Sequence, residues 1–172
     1  MREWISSRIP VVFYGIALSC AALLVFGLYL QHAVGLEPCP MCIVQRYLLV
    51  LVGVFSAMVA FFHGSKSKRI VFLGLMVLAA LSGAVVAARQ SWLQWYPPEV
   101  VSCGRDLYGM IENFPLKRVL PMVFRGSGDC SKIDWTFLGG SIANWSFVTF
   151  TLFVLVGALA IGSARGHRER LQ

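Results

Sequence analysis

The 172-residue sequence predicts an all-α membrane protein, a four-transmembrane-helix bundle with a short and a long outer loop. Hydrophobic residues make up 58% of the chain, more than a soluble domain of this size needs. Four stretches lack Asp, Glu, Lys and Arg over a length that can cross a bilayer, which takes about 20 residues per helix. The predicted spans of this single domain are about 11–31, 43–62, 70–89 and 143–163.

The first span also resembles a cleaved signal peptide, because Arg2 and Arg8 precede an apolar run. The run continues past Cys20 to Leu30, however, beyond the roughly 7–15 residues of a typical signal core. We therefore expect a retained membrane helix, in which Cys20 is a small buried hydrophobic residue.

Basic residues are distributed unevenly with respect to the spans. If the helices alternate in direction, both termini and the turn between spans two and three share one side, with eight basic and two acidic residues. The other side holds seven basic and six acidic residues. Because Lys and Arg concentrate on the cytoplasmic side of membrane proteins, both termini are predicted to be cytoplasmic. The loops at about 32–42 and 90–142 then face outward, and the net charge of +7 needs no nucleic-acid partner.

This topology divides the five cysteines of the chain. Cys20 falls within a span, whereas Cys39, Cys42, Cys103 and Cys130 lie on the outward side, in a compartment that permits disulfides. Three interpretations compete for these four: structural disulfides, a metal site, or two redox-active pairs. A metal site is the weakest, because zinc favours two C-x-x-C pairs, or one with histidines at ligand spacing.

Structural disulfides explain the two pairs unequally well. A Cys103–Cys130 bridge would close a loop of roughly 27 residues and stabilise the fold by about 3–4 kcal/mol. A Cys39–Cys42 bridge closes so short a loop that it gains little entropy. The second pair is therefore better explained by redox chemistry than by stability.

The segment EPCPMCIVQR, which begins at Glu37, places this dithiol at the start of the second span. Pro40 suits the first turn of a helix, so Cys42 would lie where unsatisfied N–H groups and the helix dipole favour a thiolate. Arg46 follows Cys42 by four residues, so it lies on the same helix face and stays protonated. Two roles fit Arg46: an anchor for lipid headgroups, or a cation that stabilises negative charge on Cys42 or on a reduced lipid-soluble acceptor. A quinone is such an acceptor.

With these features the chain resembles the disulfide bond formation protein B (DsbB) family of bacterial inner-membrane thiol oxidoreductases over nearly its whole length. The resemblance rests on the four spans and on several motifs, namely Cys39-Pro-Met-Cys42 with Arg46, the long loop with Cys103 and Cys130, LQWYP at 93–97 and GSGDC at 126–130.

The resemblance implies a thiol:quinone oxidoreductase of the inner membrane whose catalytic cysteines, Cys39, Cys42, Cys103 and Cys130, face the periplasm. Cys103 would form a mixed disulfide with a thioredoxin-like oxidase of the DsbA type, and Cys130 would pass the electrons to Cys39. Cys42 would remain as a thiolate against the bound quinone, with Arg46 stabilising that state. The implied partners are this oxidase, membrane lipid and a quinone, ubiquinone before menaquinone, and no metal is implied.

One position departs from the family pattern. Some family members have a histidine where this chain has Gln90, and a glutamine cannot carry a proton as a histidine can. We therefore assign Gln90 no catalytic role. Within the long loop, the amphipathic segment 114–124 is expected to lie in the membrane surface.

Two other functions remain as alternatives. A vitamin K epoxide reductase-like enzyme also combines four helices, a C-x-x-C and a loop cysteine pair, but there the C-x-x-C follows the loop pair, whereas here it precedes it. A membrane scaffold or binding protein with structural disulfides is disfavoured by the short spacing of Cys39 and Cys42 and by Arg46.

Overall fold

A computed structural model of the chain describes residues 2–36, 38–96, 133 and 135–169. Its four helices are α1 (Arg2–Ala33), α2 (Pro40–Phe61), α3 (Lys66–Trp95) and α4 (Ile142–Glu169). By length and composition each can cross a membrane, over Pro10–Ala33, Met41–Phe61, Lys66–Trp95 and Ile142–Ser163. The predicted all-α membrane protein with four spanning helices is confirmed.

The start of α2 follows from its first residues. Cys39 has the extended backbone of an N-cap, with φ −72° and ψ 161°, and its sulfur accepts a hydrogen bond from the backbone N–H of Cys42 at 3.3 Å. Pro40 occupies the first helical turn, where its missing N–H leaves no donor unsatisfied. The C-x-x-C motif therefore also serves as the cap of the helix.

Helix α3 continues to Trp95, past the predicted boundary at 89. The difference arises because Arg89 and Gln90 end the uncharged apolar run in the sequence without ending the helix. As a result, Gln90 and Gln94 lie on a helix wall and not in an outer loop.

A short hairpin precedes α4 inside the predicted outer loop 90–142. Strands β1 (Thr136–Phe137) and β2 (Gly140–Ser141) pair in antiparallel register, with Phe137 opposite Gly140. The turn residues Leu138 and Gly139 have φ of 51° and 79°, the left-handed conformations that favoured two-residue hairpin turns adopt.

Packing within the described helices is sequential: α1 packs on α2, α2 on α3 and α3 on α4. The buried core draws on all four helices and includes Phe13, Cys20, Val52, Met76 and Phe150. Cys20 is 1% exposed, which confirms the expectation of a small buried residue, and it packs against Gly53. Such small residues let membrane helices approach closely.

The outer surface of the bundle is apolar. Leu18, Phe61 and Leu159 are each at least 70% exposed, at 73%, 70% and 72%. A water-soluble protein rarely exposes contiguous apolar surface on this scale, whereas lipid solvates it without penalty. The distribution therefore supports a bundle embedded in a bilayer.

The close contact between Gly83 and Phe150 allows the packing of α3 against α4 to be tested. A Cβ atom at Gly83 would lie 2.5 to 2.6 Å from three ring atoms of Phe150, which is only 2% exposed. Overpacking of this kind typically costs about 1–3 kcal/mol. We expect Gly83→Ala to lower the Tm of the purified protein in detergent.

Gly74→Ala, on the same helix, is the matched control. Nothing lies within 4 Å of a Cβ at Gly74. Alanine favours a helix over glycine by about 1 kcal/mol, so this variant should keep or raise the Tm. Equal Tm values for the two variants would contradict the close contact between Gly83 and Phe150.

Candidate active site

The Cys39–Cys42 pair forms the centre of the site, at the N-terminal end of α2. The Cys39 thiol donates to Cys42 Sγ across 3.0 Å. A disulfide bond is about 2.05 Å long, so the sulfurs need to approach by only about 1 Å to form it. Cys39 is 4% exposed and Cys42 is half-buried, so Cys42 is the more accessible of the two sulfurs.

Two buried glutamines complete the polar surroundings of the dithiol. Gln90 on α3 donates from Nε2 to Cys42 Sγ at 3.2 Å and to Cys39 Sγ at 3.4 Å. Gln45 on α2 donates from Nε2 to Gln90 Oε1 at 2.6 Å. Gln45 and Gln90 are 6% and 3% exposed, and buried amides of this kind are stable only when hydrogen-bonded. The dithiol is therefore joined to α3 by direct hydrogen bonds.

Arg46 is half-buried and turned towards α1. Its guanidinium donates from Nη2 to the carbonyl oxygen of Gly27 at 3.0 Å and from Nη1 to the side-chain oxygen of Gln31. It also interacts electrostatically with both Cys39 and Cys42. These contacts hold the guanidinium within the bundle, which disfavours the role of a lipid-headgroup anchor.

A cavity of about 640 Å³ adjoins the dithiol. The polar residues of its lining include the dithiol and its neighbours and five others, namely Cys39, Cys42, Gln45, Arg46 and Gln90 together with Gln31, Gln94, Ser141, Ser146 and Thr149. Its walls are largely apolar and come from α1, α2, α4 and the hairpin, for example at Leu23, Leu49, Ile142, Trp145 and Phe150. An apolar cavity with a few convergent polar groups is typical of a small-molecule site.

The hairpin forms part of the cavity wall between α1 and α4. Phe26 on α1 contacts Trp135 edge to face, with ring centroids 5.8 Å apart, and Trp135 stacks on Phe137 at 6.0 Å. Trp145 on α4 donates from Nε1 to the carbonyl oxygen of Phe137 at 2.9 Å. Through these contacts the segment before α4 becomes a wall of the site.

Three of the five predicted site residues, Cys39, Cys42 and Arg46, line this one cavity. Cys103 and Cys130 lie outside the described residues, as does the segment 114–124. Within the described part of the chain, no group of three or more His, Cys, Asp or Glu side chains could hold a metal ion.

From the sequence we assign Gln45 no role and Gln90 no catalytic role, and we predict neither contact at the dithiol. A signal was present, because Gln45 is a polar residue between the dithiol motif and the second apolar run, and Gln90 is a polar residue at the end of the third apolar run. Gln45 also lies three residues after Cys42, which places both side chains on one helix face. What the sequence does not show is that the two amides, 45 residues apart, bond to each other.

Fold and site together define a class: a helical membrane protein that carries a close-spaced dithiol beside an apolar cavity, as expected of a membrane thiol oxidoreductase. A family model described as "Disulfide bond formation protein DsbB" matches residues 9–160. The chain belongs to the disulfide bond formation protein B family. With the four spanning helices, this membership supports a disulfide oxidoreductase and fits a multi-pass inner-membrane protein.

Individual relatives agree over almost the whole chain. A "Disulfide bond formation protein B" of Acidovorax sp. (strain JS42) is 57% identical over 172 residues, which cover 99% of this chain and 98% of that protein. The protein of the same name from Polaromonas sp. (strain JS666 / ATCC BAA-500) is 66% identical over 146 residues, or 85% and 86% of the two chains. These similarities favour this family over the vitamin K epoxide reductase-like alternative.

Proposed function

We propose that this protein is a thiol:quinone oxidoreductase that reoxidises a periplasmic thioredoxin-like oxidase of the DsbA type and passes the electrons to a membrane quinone. The observation that carries the proposal is the shared cavity, because Cys42 and Arg46 line one largely apolar space. Family membership supports the disulfide chemistry. The geometry of the cavity supports a lipid-soluble acceptor.

The residues of the cavity fit a quinone. Its volume of about 640 Å³ lies within the roughly 300–1,000 Å³ that small-molecule sites span. The apolar walls suit an isoprenoid tail, and Arg46 beside Cys42 provides a cation near the site of electron transfer. A bound quinone supplies an acceptor for two electrons and two protons. Ubiquinone is the first candidate and menaquinone the second.

The dithiol chemistry balances with this acceptor. When the Cys39–Cys42 bond forms, the two thiols give up two electrons and two protons, which matches the reduction of one quinone to one quinol. Before that step, the N-terminal end of α2 and the Arg46 guanidinium both favour negative charge on Cys42. Arg46 is held in place for this role by its hydrogen bonds to α1.

The outer cysteines would deliver the electrons by thiol–disulfide exchange. A thiolate of the partner attacks Cys103 and breaks the Cys103–Cys130 bond, which leaves Cys130 as a thiolate. Cys130 then attacks Cys39 and displaces Cys42 as a thiolate. The second thiol of the partner releases Cys103, so the partner leaves oxidised. Cys103 in turn displaces Cys39 from Cys130, and the dithiol Cys39–Cys42 holds both electrons.

Both termini are proposed to be cytoplasmic and the four redox cysteines periplasmic. The support is the charge asymmetry, because Lys66, Lys68 and Arg69 lie in the first turn of α3, at the end of the bundle opposite the dithiol. A reporter fused after Gln172 should be active only if it works in the cytoplasm. Activity of a periplasm-only reporter at that site would show that the protein has the opposite orientation.

The direct test uses the purified protein, a reduced thioredoxin-like oxidase and either ubiquinone or menaquinone in detergent. We expect one quinone to be consumed for each disulfide that forms in the oxidase. Cys42→Ser should abolish quinone reduction because the inner disulfide can no longer form. Oxidation of the partner at an undiminished rate without quinone, under anaerobic conditions, would exclude this function.

Arg46→Met removes the positive charge but keeps a long side chain. Loss of a hydrogen bond to a charged group should raise the apparent KM for quinone by about tenfold or more. Gln31→Met is the matched control, because it removes one of the hydrogen bonds to α1 and leaves the charge. If the two variants show the same KM for quinone, the role of Arg46 is to hold α1 against α2, and its charge does not act on the quinone.

The order of the relay can be tested by trapping. Cys130→Ser should leave Cys103 able to hold a thioredoxin-like partner whose own second cysteine has been removed. Cys103→Ser should form no such adduct. Non-reducing gels with mass spectrometry identify the linked residue. A partner attached to Cys39 or Cys42 in the chain with all four cysteines would refute this order.

A further inference from the structure

We infer that the buried Gln45–Gln90 amide pair stabilises negative charge on the Cys39–Cys42 dithiol, and thereby sets how readily this pair is reduced. The inference rests on the proposed function, because it concerns the same cysteine pair. It gives a role to Gln45 and Gln90, which lie outside the Cys39-Pro-Met-Cys42 motif.

The geometry places one amide on both reacting sulfurs. Gln90 Nε2 lies 3.2 Å from Cys42 Sγ and 3.4 Å from Cys39 Sγ, so its two N–H groups can serve the two sulfurs together. A hydrogen bond to an ionised acceptor is roughly twice as strong as one to a neutral acceptor. The sulfurs of a disulfide are neutral and weak acceptors. The amide therefore stabilises the thiolate form more than the disulfide form.

Gln45 determines which end of the Gln90 amide faces the sulfurs. An amide presents N–H groups at one end and an oxygen at the other, and only the N–H end stabilises a thiolate. Gln45 Nε2 donates to Gln90 Oε1 at 2.6 Å, which turns the oxygen of Gln90 away from the sulfurs. If the Gln90 amide were turned around, its N–H groups would face the N–H donor of Gln45, and this hydrogen bond would be lost. Gln90 thus touches the reacting atoms, and Gln45 is a positioning residue.

Burial increases the effect of the pair. Gln45 and Gln90 are only 6% and 3% exposed, so little water can compete with them for the sulfurs. In such buried surroundings a hydrogen bond is electrostatically stronger than in water. Both amides are uncharged, so they supply donors without placing a second cation beside Arg46 inside the bundle. Arg46 donates its own hydrogen bonds to α1. Gln90 thus donates to both sulfurs, in addition to the Cys42 backbone N–H that donates to Cys39 Sγ, and Arg46 adds a positive charge.

The test measures the reduction potential of the Cys39–Cys42 pair without quinone or partner. Cys103→Ser and Cys130→Ser are introduced so that the inner pair titrates alone, and the full-length protein is equilibrated with dithiothreitol buffers before thiol labelling and mass spectrometry. Gln90→Met should shift the thiol–disulfide equilibrium towards the disulfide by about tenfold, which corresponds to about 30 mV for a two-electron couple. The rate of Cys42 alkylation at fixed pH should also fall, by a smaller factor, because a more basic thiolate is more nucleophilic.

Two further variants separate this role from packing. Gln90→Met leaves Gln45 with a buried unsatisfied donor, which is destabilising, whereas the double variant Gln45→Met/Gln90→Met removes both amides at once. The double variant should fold and show the same shift as Gln90→Met. Gln45→Met alone should shift the potential in the same direction by a smaller amount, because Gln90 then loses its preferred orientation.

Gln94→Met is the matched control on the same helix. The Gln94 side chain lines the same cavity, but its oxygen accepts from the Ser141 hydroxyl at 2.6 Å. This variant should leave the potential of Cys39–Cys42 unchanged. A shift as large as that of Gln90→Met would show a general effect of cavity polarity and would overturn the inference.

An unchanged potential in the double variant would also overturn it, even if quinone turnover falls. That outcome is distinct from failure of the proposed function, which would appear as a wild-type protein that reduces no quinone. Because the potential is measured with neither quinone nor partner, the two results are independent.

Discussion

Polar groups inside a membrane-spanning bundle have no bulk water to bond, so an unpaired one is costly and most find a partner on their own or a neighbouring helix. This constraint organises the redox end of the protein. The Gln45–Gln90 hydrogen bond joins α2 to α3, and Gln90 joins α3 to both sulfurs of the dithiol. Removing one of these groups would leave the others unsatisfied. The polar cluster therefore fixes the register of α2 against α3 where the cysteines lie.

Arg46 extends the same constraint to α1. Its hydrogen bonds to Gly27 and Gln31 hold α1 against α2, while the charge remains beside the cavity. Because the helices pack in sequence, the space between α1 and α4 is left for the cavity, and the hairpin covers it through Trp135 and Phe137. The dithiol thus lies next to an apolar cavity within the bundle, where we propose that a lipid-soluble acceptor binds.

The sequence predicted the features that depend on local pattern. Hydropathy gave four spans, Pro40 indicated the start of α2, and helical spacing placed Arg46 on the face of Cys42. The remaining features depend on contacts between distant residues. The hydrogen bonds from Gln45 to Gln90 and from Arg46 to α1 each join two different helices, so they form only when the bundle packs. The hairpin turn at Leu138 lacks the Asn or Asp that usually marks such a turn. Gln90 cannot carry a proton as a histidine can, and its contacts with both sulfurs arise only when α3 packs on α2.

The central claim is that the Cys39–Cys42 dithiol passes its electrons directly to a quinone in the adjoining cavity. The most direct measurement is a single turnover of the Cys103→Ser/Cys130→Ser protein, fully reduced and mixed anaerobically with ubiquinone. We expect one quinone to be reduced per protein while a Cys39–Cys42 disulfide forms at the same rate. A dithiol that stays reduced in the presence of excess ubiquinone and menaquinone would contradict it.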